Sequence, residues 1–186
     1  RCAVRPYGGT FADHQVDEEV VVGYDPSVAV LGQGAALRIL RAPGIYAAER
    51  LSLERLRRGD PVLTADQDVF TNHIHADDLA HAACLALMRG PRCRVYNVCD
   101  DAHLRMGDWY DAIADAAGLA RPPRASREVC ARCLPAASLS FMGESRRLLN
   151  ARVKRELRLV LAYSDAREAL YQIFNPSRKL PCSTCG

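Results

Sequence analysis

Lysine is nearly missing from this chain. Only Lys154 and Lys179 occur, both in the last fifth of 186 residues, so any mechanism that needs a lysine before them is excluded. None of the seven tyrosines has a lysine four places on, so no ammonium lowers a phenol pKa to make a Tyr-x-x-x-Lys proton shuttle. Where Tyr46 and Tyr163 have an arginine at that position instead, a guanidinium lends charge but cannot give up a proton. Charge of one sign is also scarce: 25 Lys+Arg against 22 Asp+Glu leave a net +3, and the arginines are dispersed. Such an excess gives no nucleic-acid face. No apolar run reaches the roughly 18 residues of a membrane-spanning helix. The start, Arg1-Cys2-Ala3-Val4-Arg5-Pro6-Tyr7, has neither a Met nor the apolar stretch of a signal peptide. The chain therefore reads as a cytoplasmic fragment with no membrane and no nucleic acid among its expected partners.

The composition itself is that of a globular protein, with 49% apolar and 25% charged residues, enough for a sizeable core. Short apolar runs at Val28–Leu31, Leu37–Leu40, Val69–Ile74 and Arg94–Cys99 are strand-sized. Between and after them lie helical patterns. One carries Leu51, Leu53 and Leu56 and stops at Gly59-Asp60-Pro61. One is opened by Asp77 and Asp78 and closed by Gly90-Pro91, with Leu79, Ala83, Leu87 and Ala80, Cys84, Met88 as its apolar face. One is capped by Asp108 and stopped by Gly118. Further helices are expected over Arg127–Leu139, with Pro135 as a break point, over Glu144–Leu161, with Leu149, Val153 and Leu157 on one side, and over Asp165–Phe174. Residues 1–26 read as loop, and Arg121-Pro122-Pro123-Arg124 as linker. Alternating strands and helices make the fold class α/β. The expected organisation is a partial α/β portion over 1–106, a mostly helical region over 107–174 and a disordered tail over 175–186.

Eight cysteines invite a disulfide or zinc reading. Cys84 and Cys99 fall in apolar patterns and read as small buried hydrophobes. Cys130-Ala131-Arg132-Cys133 and Cys182-Ser183-Thr184-Cys185 are both C-x-x-C, and together offer four thiolates to a structural zinc, as a non-catalytic interaction module would use. Their separation exceeds that of a compact zinc ribbon, and free thiols remain the alternative.

His73-Ile74-His75-Ala76-Asp77-Asp78 is one residue short of H-x-H-x-D-H. Imidazoles two apart on extended backbone share a side, and a carboxylate two further on closes a metal site, so a metal-dependent hydrolase using His73, His75 and Asp77 stands as an alternative. Equally, Asp77 and Asp78 are first-turn helix residues behind two strand-end histidines. Gly32-Gln33-Gly34 after Val28–Leu31 resembles the start of a dinucleotide fingerprint, but Leu37 replaces the third small residue and Pro43-Gly44 leaves no room for the helix; a turn is the other reading.

Several phrases taken together resemble one family. Leu40-Arg41-Ala42-Pro43-Gly44-Ile45-Tyr46, Phe70-Thr71-Asn72-His73-Ile74-His75-Ala76-Asp77-Asp78-Leu79-Ala80 and Val95-Tyr96-Asn97-Val98-Cys99-Asp100-Asp101 resemble, in order and spacing, the C-terminal half of extended or atypical short-chain dehydrogenase/reductases, the NAD-dependent epimerase/dehydratase family. Arg155-Glu156-Leu157, with Tyr163 after it, resembles that family's closing K-x-x-E-L-G segment. The resemblance covers about residues 37–174. It implies the C-terminal part of a doubly wound, Rossmann-like parallel sheet with a small, mostly helical substrate lobe, and it places Arg38–Leu40 beside Val95–Val98 as parallel neighbours. It implies NAD or NADP as cofactor, with Pro43, Gly44, Ile45 and Tyr46 at the nicotinamide. It places Asn72, His73 and His75 at the cleft of a small, hydroxyl-bearing substrate such as a nucleotide sugar. Upstream, Cys2, Ala3, Val4 and Arg5 stand where the family's Ser or Thr would, the Tyr-x-x-x-Lys helix is replaced, and the Gly-rich loop is missing. The chain thus resembles a truncated or degenerate oxidoreductase with no catalytic residue of its own, weak or no cofactor binding, and a non-enzymatic remnant as a further reading.

Overall fold

The structure is a computed structural model that describes residues 15–16, 28–31 and 38–176. Its elements run β1 (Gln15–Val16), β2 (Val28–Leu31), β3 (Arg38–Arg41), β4 (Gly44–Tyr46), α1 (Leu53–Arg57), β5 (Val62–Leu63), β6 (Phe70–Thr71), β7 (His73–His75), α2 (Ala76–Arg89), β8 (Arg94–Asn97), β9 (Leu104–Arg105), α3 (Met106–Ala117), β10 (Arg124–Ala125), α4 (Arg127–Cys133), α5 (Ala136–Phe141), β11 (Arg147–Leu148), α6 (Ala151–Leu157) and α7 (Ala166–Phe174).

The α/β class holds, and so does the register that the family resemblance implies. β3 and β8 pair in parallel, Arg38 opposite Arg94 through Arg41 opposite Asn97. β4 and β7 are also parallel, with Gly44, Ile45 and Tyr46 opposite His73, Ile74 and His75. Parallel neighbours need a long crossover. Here the chain from β4 to α2 fills it, and Ala82, Leu85 and Ala86 of α2 pack with Leu40, Ile74, Tyr96 and Val98 of the strand region. Val153 and Leu157 of α6 complete this first core. Glu156 on the same helix accepts hydrogen bonds from Arg94 (2.9 and 2.7 Å) and the Tyr96 hydroxyl (3.2 Å), so the closing segment is tied to β8. A second core joins Tyr46, Leu104, Trp109, Ile113 and Leu170, and a third joins Leu63, Cys130, Leu134 and Met142.

Several expectations need correction. Of the apolar face read for α2, Leu79 and Ala83 are half-buried against the first core, but Ala80, Cys84, Leu87 and Met88 are exposed; the fully buried positions are Asp78, Ala82, Leu85 and Ala86. Apolar residues ring much of this helix, and the buried Asp78 decides its rotation. Cys84 is thus no core residue, whereas Cys99 is buried as expected. Glu144–Leu161 is not one helix. Leu148 N donates to Asn72 Oδ1 (2.8 Å), which draws 147–148 into β11, and α6 is short, ending where Arg158 turns left-handed (φ 52°). Pro135 divides 127–139 into α4 and α5, with Leu134 extended between them. The 121–124 linker ends in β10, paired in parallel with β5. Gln15–Val16, inside the expected loop, pairs in parallel with β11. Asp108 does not cap α3; Asp68, far back in the chain, accepts from the Gly107 N–H (3.0 Å) at that terminus. Gly118 does close the helix, in the left-handed region (φ 66°).

The strand that follows Gly32-Gln33-Gly34 pairs antiparallel with the strand before it. A dinucleotide fingerprint leads into a helix instead, so that reading is withdrawn; the glycines themselves lie outside the described residues, as do Cys2, Cys182, Cys185 and 177–186. Among the described residues no helix is long and apolar enough to cross a membrane.

Candidate functional site

The parallel strands end in a knot of buried polar and aromatic side chains. Because strand residues alternate in direction, Ile74 of β7 joins the first core while His73 and His75 turn to the opposite side. There His73 stacks on Trp109 with ring centroids 3.9 Å apart, and His75 stacks on Tyr163 at 3.8 Å. Tyr46 sits edge-on to His75 (5.2 Å), Trp109 (5.3 Å) and His73 (6.4 Å). Gly44 lets the backbone approach this packing closely. A Cβ on it would lie 3.0 Å from His73 Cδ2 and 3.2 Å from the Asn72 carbonyl oxygen.

Main-chain bonds hold the polar members. Asn72 donates to the Arg146 carbonyl (2.9 Å) and accepts from Leu148 N (2.8 Å), so both ends of its amide are occupied. His75 Nδ1 caps α2 by accepting from Asp77 N (3.2 Å). Asp78 accepts from Ala162 N (2.8 Å) and Tyr163 N (2.9 Å). Asp100 N donates to the His73 carbonyl (2.8 Å), which sets Asp100 beside His73, and Asp100 Oδ1 accepts from Ala102 N (3.1 Å).

Three buried polar atoms here have no hydrogen-bond partner: the Tyr46 hydroxyl, His73 Nδ1 and Asp100 Oδ2. Their surroundings favour the neutral form of each. Burial pushes the Asp100 carboxyl up to about 8; the Ala102 N–H opposes this, and the charges of Asp165, Asp101 and Asp78 add to it. Burial pulls His73 down to about 3. Burial, then Asp100, Asp78 and Asp165, raise the Tyr46 phenol. The knot thus keeps three groups uncharged and shielded from water. Asp100, Trp109 and Tyr163 did not stand out as site residues in the sequence; the Asp100-Asp101 doublet directly after an apolar strand was the available signal.

Of the four positions assigned to a nicotinamide, Gly44 is exposed, Pro43 and Ile45 are half-buried, and Tyr46 is 2% exposed. The Gly44 N–H is already given to the Asn72 carbonyl (3.1 Å). With that donor engaged and Tyr46 buried, these four residues do not by themselves fit a dinucleotide. The metal site expected of His73, His75 and Asp77 does not assemble. Asp77 is exposed, its carboxylate lies 3.7 Å from the His75 Nδ1 that already serves as a cap, and no three His, Cys, Asp or Glu residues among those described converge on one point.

No protein-family model and no curated protein matches the sequence. Solved structures do match. A conserved protein of unknown function from Silicibacter pomeroyi is 28% identical, with a TM-score of 0.65 over 75% of this chain and 49% of that one. A human epimerase family protein solved with NADPH is 16% identical, with a TM-score of 0.61 over 74% of this chain and 48% of that one. A nucleoside-diphosphate-sugar epimerase from Pseudomonas aeruginosa is 16% identical, with a TM-score of 0.61 over 87% of this chain and 60% of that one. This chain spans about half the length of the first two. What they share with it is a fold, a Rossmann-like α/β architecture with parallel strand pairs.

Proposed function

We propose that this chain is the substrate-side portion of an NAD(P)-dependent, epimerase/dehydratase-like oxidoreductase. It acts in the cytoplasm on a small hydroxyl-bearing substrate such as a nucleotide sugar. The observation that carries the reading is the parallel pairing of β3 with β8 across the α2 crossover, with the buried knot at the ends of these strands. In open α/β sheets ligands bind beyond the carboxyl ends of the strands. Pro43, Gly44 and Ile45 line that side as the contacts for NAD or NADP. Tyr46, His73 and His75 lie beneath it and position the cleft, and Asn72 holds the β11 turn against it. No reaction step is assigned through the dinucleotide, because these three contacts alone do not make a site for it.

Two measurements test this. Calorimetric titration with NAD⁺ and with NADP⁺ is expected to show dissociation constants weaker than about 1 mM, since a phosphate grip is worth several kcal/mol of the roughly 8 that micromolar binding requires; micromolar affinity would refute the account of a chain without that grip. Saturation-transfer NMR with a nucleoside-diphosphate sugar is expected to reach the sugar protons. Silence there would remove the substrate-side assignment.

A further inference from the structure

The sequence offers a C-x-x-C pair that the proposed function does not use, and the tertiary structure treats its two members differently. Both lie on α4, one turn apart. Cys133 is exposed at the end of the helix, whereas Cys130 is fully buried. The Cys130 thiol packs with Leu63, Leu134 and Met142 and lies 3.9 Å from the Ala125 carbonyl, next to the β5–β10 pair. We propose that Cys130 and Cys133 are a redox dithiol, converted by a low-molecular-weight disulfide into an intrahelical disulfide that draws the Cys130 side chain out of the third core.

Three features of the local geometry support this. Residues three apart on a helix have Cβ atoms about 5–6 Å apart, whereas a disulfide needs roughly 3.5–4.5 Å, so the turn must close by about 1–2 Å. This turn is placed to do so. It is the last of a seven-residue helix, Leu134 beyond it is extended (φ −113°, ψ 149°), Pro135 follows, and one bond, Leu134 N to the Cys130 carbonyl (2.9 Å), caps it. The pair is also asymmetric in the sense that exchange requires, an accessible thiol to attack and a shielded one to resolve. Burial holds the Cys130 thiol up and Cys133 adds to this, while the charges of Arg55 and Arg127 oppose it.

The chemistry balances. The Cys133 thiolate attacks one sulfur of the small disulfide, whose S–S bond breaks, and the first small thiol leaves with the proton that Cys133 lost. The Cys130 thiolate then attacks the Cys133 sulfur, and the second small thiol leaves with the proton from Cys130. Two protein thiols are oxidised, and one small disulfide is reduced to two thiols.

Arg132 lies between the two cysteines, so trypsin separates them, and a disulfide is read directly as a bridge between two peptides. The full chain is treated with glutathione disulfide, its remaining thiols are alkylated under denaturing conditions, and it is digested. Exposed Cys84 and Cys93 are expected to carry glutathione. The peptides Glu128–Arg132 and Cys133–Arg146 are expected to appear joined, and to separate after dithiothreitol. In Cys130→Ser the Cys133 peptide is expected to keep glutathione. In the surface variant Cys133→Ser, Cys130 is expected to stay unmodified. Wild-type Cys133 that retains glutathione, or that is found joined to Cys182 or Cys185, would overturn the proposal.

Discussion

Asp100 shows how far a single residue is governed by its surroundings. Its carboxyl ordinarily loses its proton near 4, yet inside the knot it does so at about 8. Between these values the folded chain binds a proton that the unfolded chain has lost, so this group makes stability fall as pH rises from about 4 to 8. His73 acts in the opposite sense. It stays neutral to about 3 when folded but binds a proton near 6.5 when unfolded, so it makes stability rise with pH across that window. The two oppose each other between about 4 and 6.5, and above that only Asp100 remains. We expect thermal stability to decline between pH 6.5 and 8 with a slope of at most about 1.4 kcal/mol per pH unit. Asp100→Asn, which keeps an acceptor for Ala102 N, should flatten that slope. An unchanged slope in the variant would show that Asp100 is ionised at neutral pH. None of this was visible in the sequence, where Asp100 is one acid of a doublet; the shift depends on burial beside residues from three distant stretches of chain.

At the scale of elements, α2 shows what pattern reading achieves and where it fails. Its start, its stop at Gly90 and its first-turn acids were legible, because capping and helix-dipole effects act over a few neighbouring residues. Its rotation was not, because apolar residues occur almost all around it. What orients it is Asp78, whose two oxygens bind the N–H groups of Ala162 and Tyr163 more than 80 residues on. Removing that carboxylate leaves two main-chain donors without partners. Asp78→Ala is expected to lower the unfolding free energy by about 2–4 kcal/mol in urea titrations; a loss below about 0.5 kcal/mol would mean that water replaces both bonds without penalty. The break of the expected 144–161 helix has a related cause. The distant Asn72 amide holds the main chain of Arg146 and Leu148, and on the other side of Leu149 the Asn150 side chain donates to the Cys99 carbonyl (2.8 Å); long-range bonds of this kind outweigh helix propensity. Val153 and Leu157 kept their buried side even so.

For the molecule as a whole, β7 is the shared wall. Ile74 faces the first core, and the histidines on either side of it face the second, so the two cores are expected to unfold together. Leu157→Ala, a cavity in the first core, should lower stability by about 2–4 kcal/mol. The shift in denaturation midpoint should be the same by far-UV circular dichroism and by the fluorescence of Trp109, the sole tryptophan, which lies in the second core. Two separated transitions would show that the cores are independent.

The amino-acid sequence by itself determined the α/β class, both ends of α2 and of α7, the Gly118 stop of α3 and, through four phrases in order, the parallel pairing of β3 with β8. These rest on local turn and cap chemistry and on the order and spacing of those phrases. Only the tertiary structure decided which face of α2 is buried, that Asp68 caps α3 from afar, that His73, His75 and Asp77 do not gather around a metal, and that Tyr46, His73 and Asp100 share a water-shielded knot. Each of those outcomes depends on contacts between residues far apart in the chain, and burial and hydrogen-bond partners are properties of that assembly.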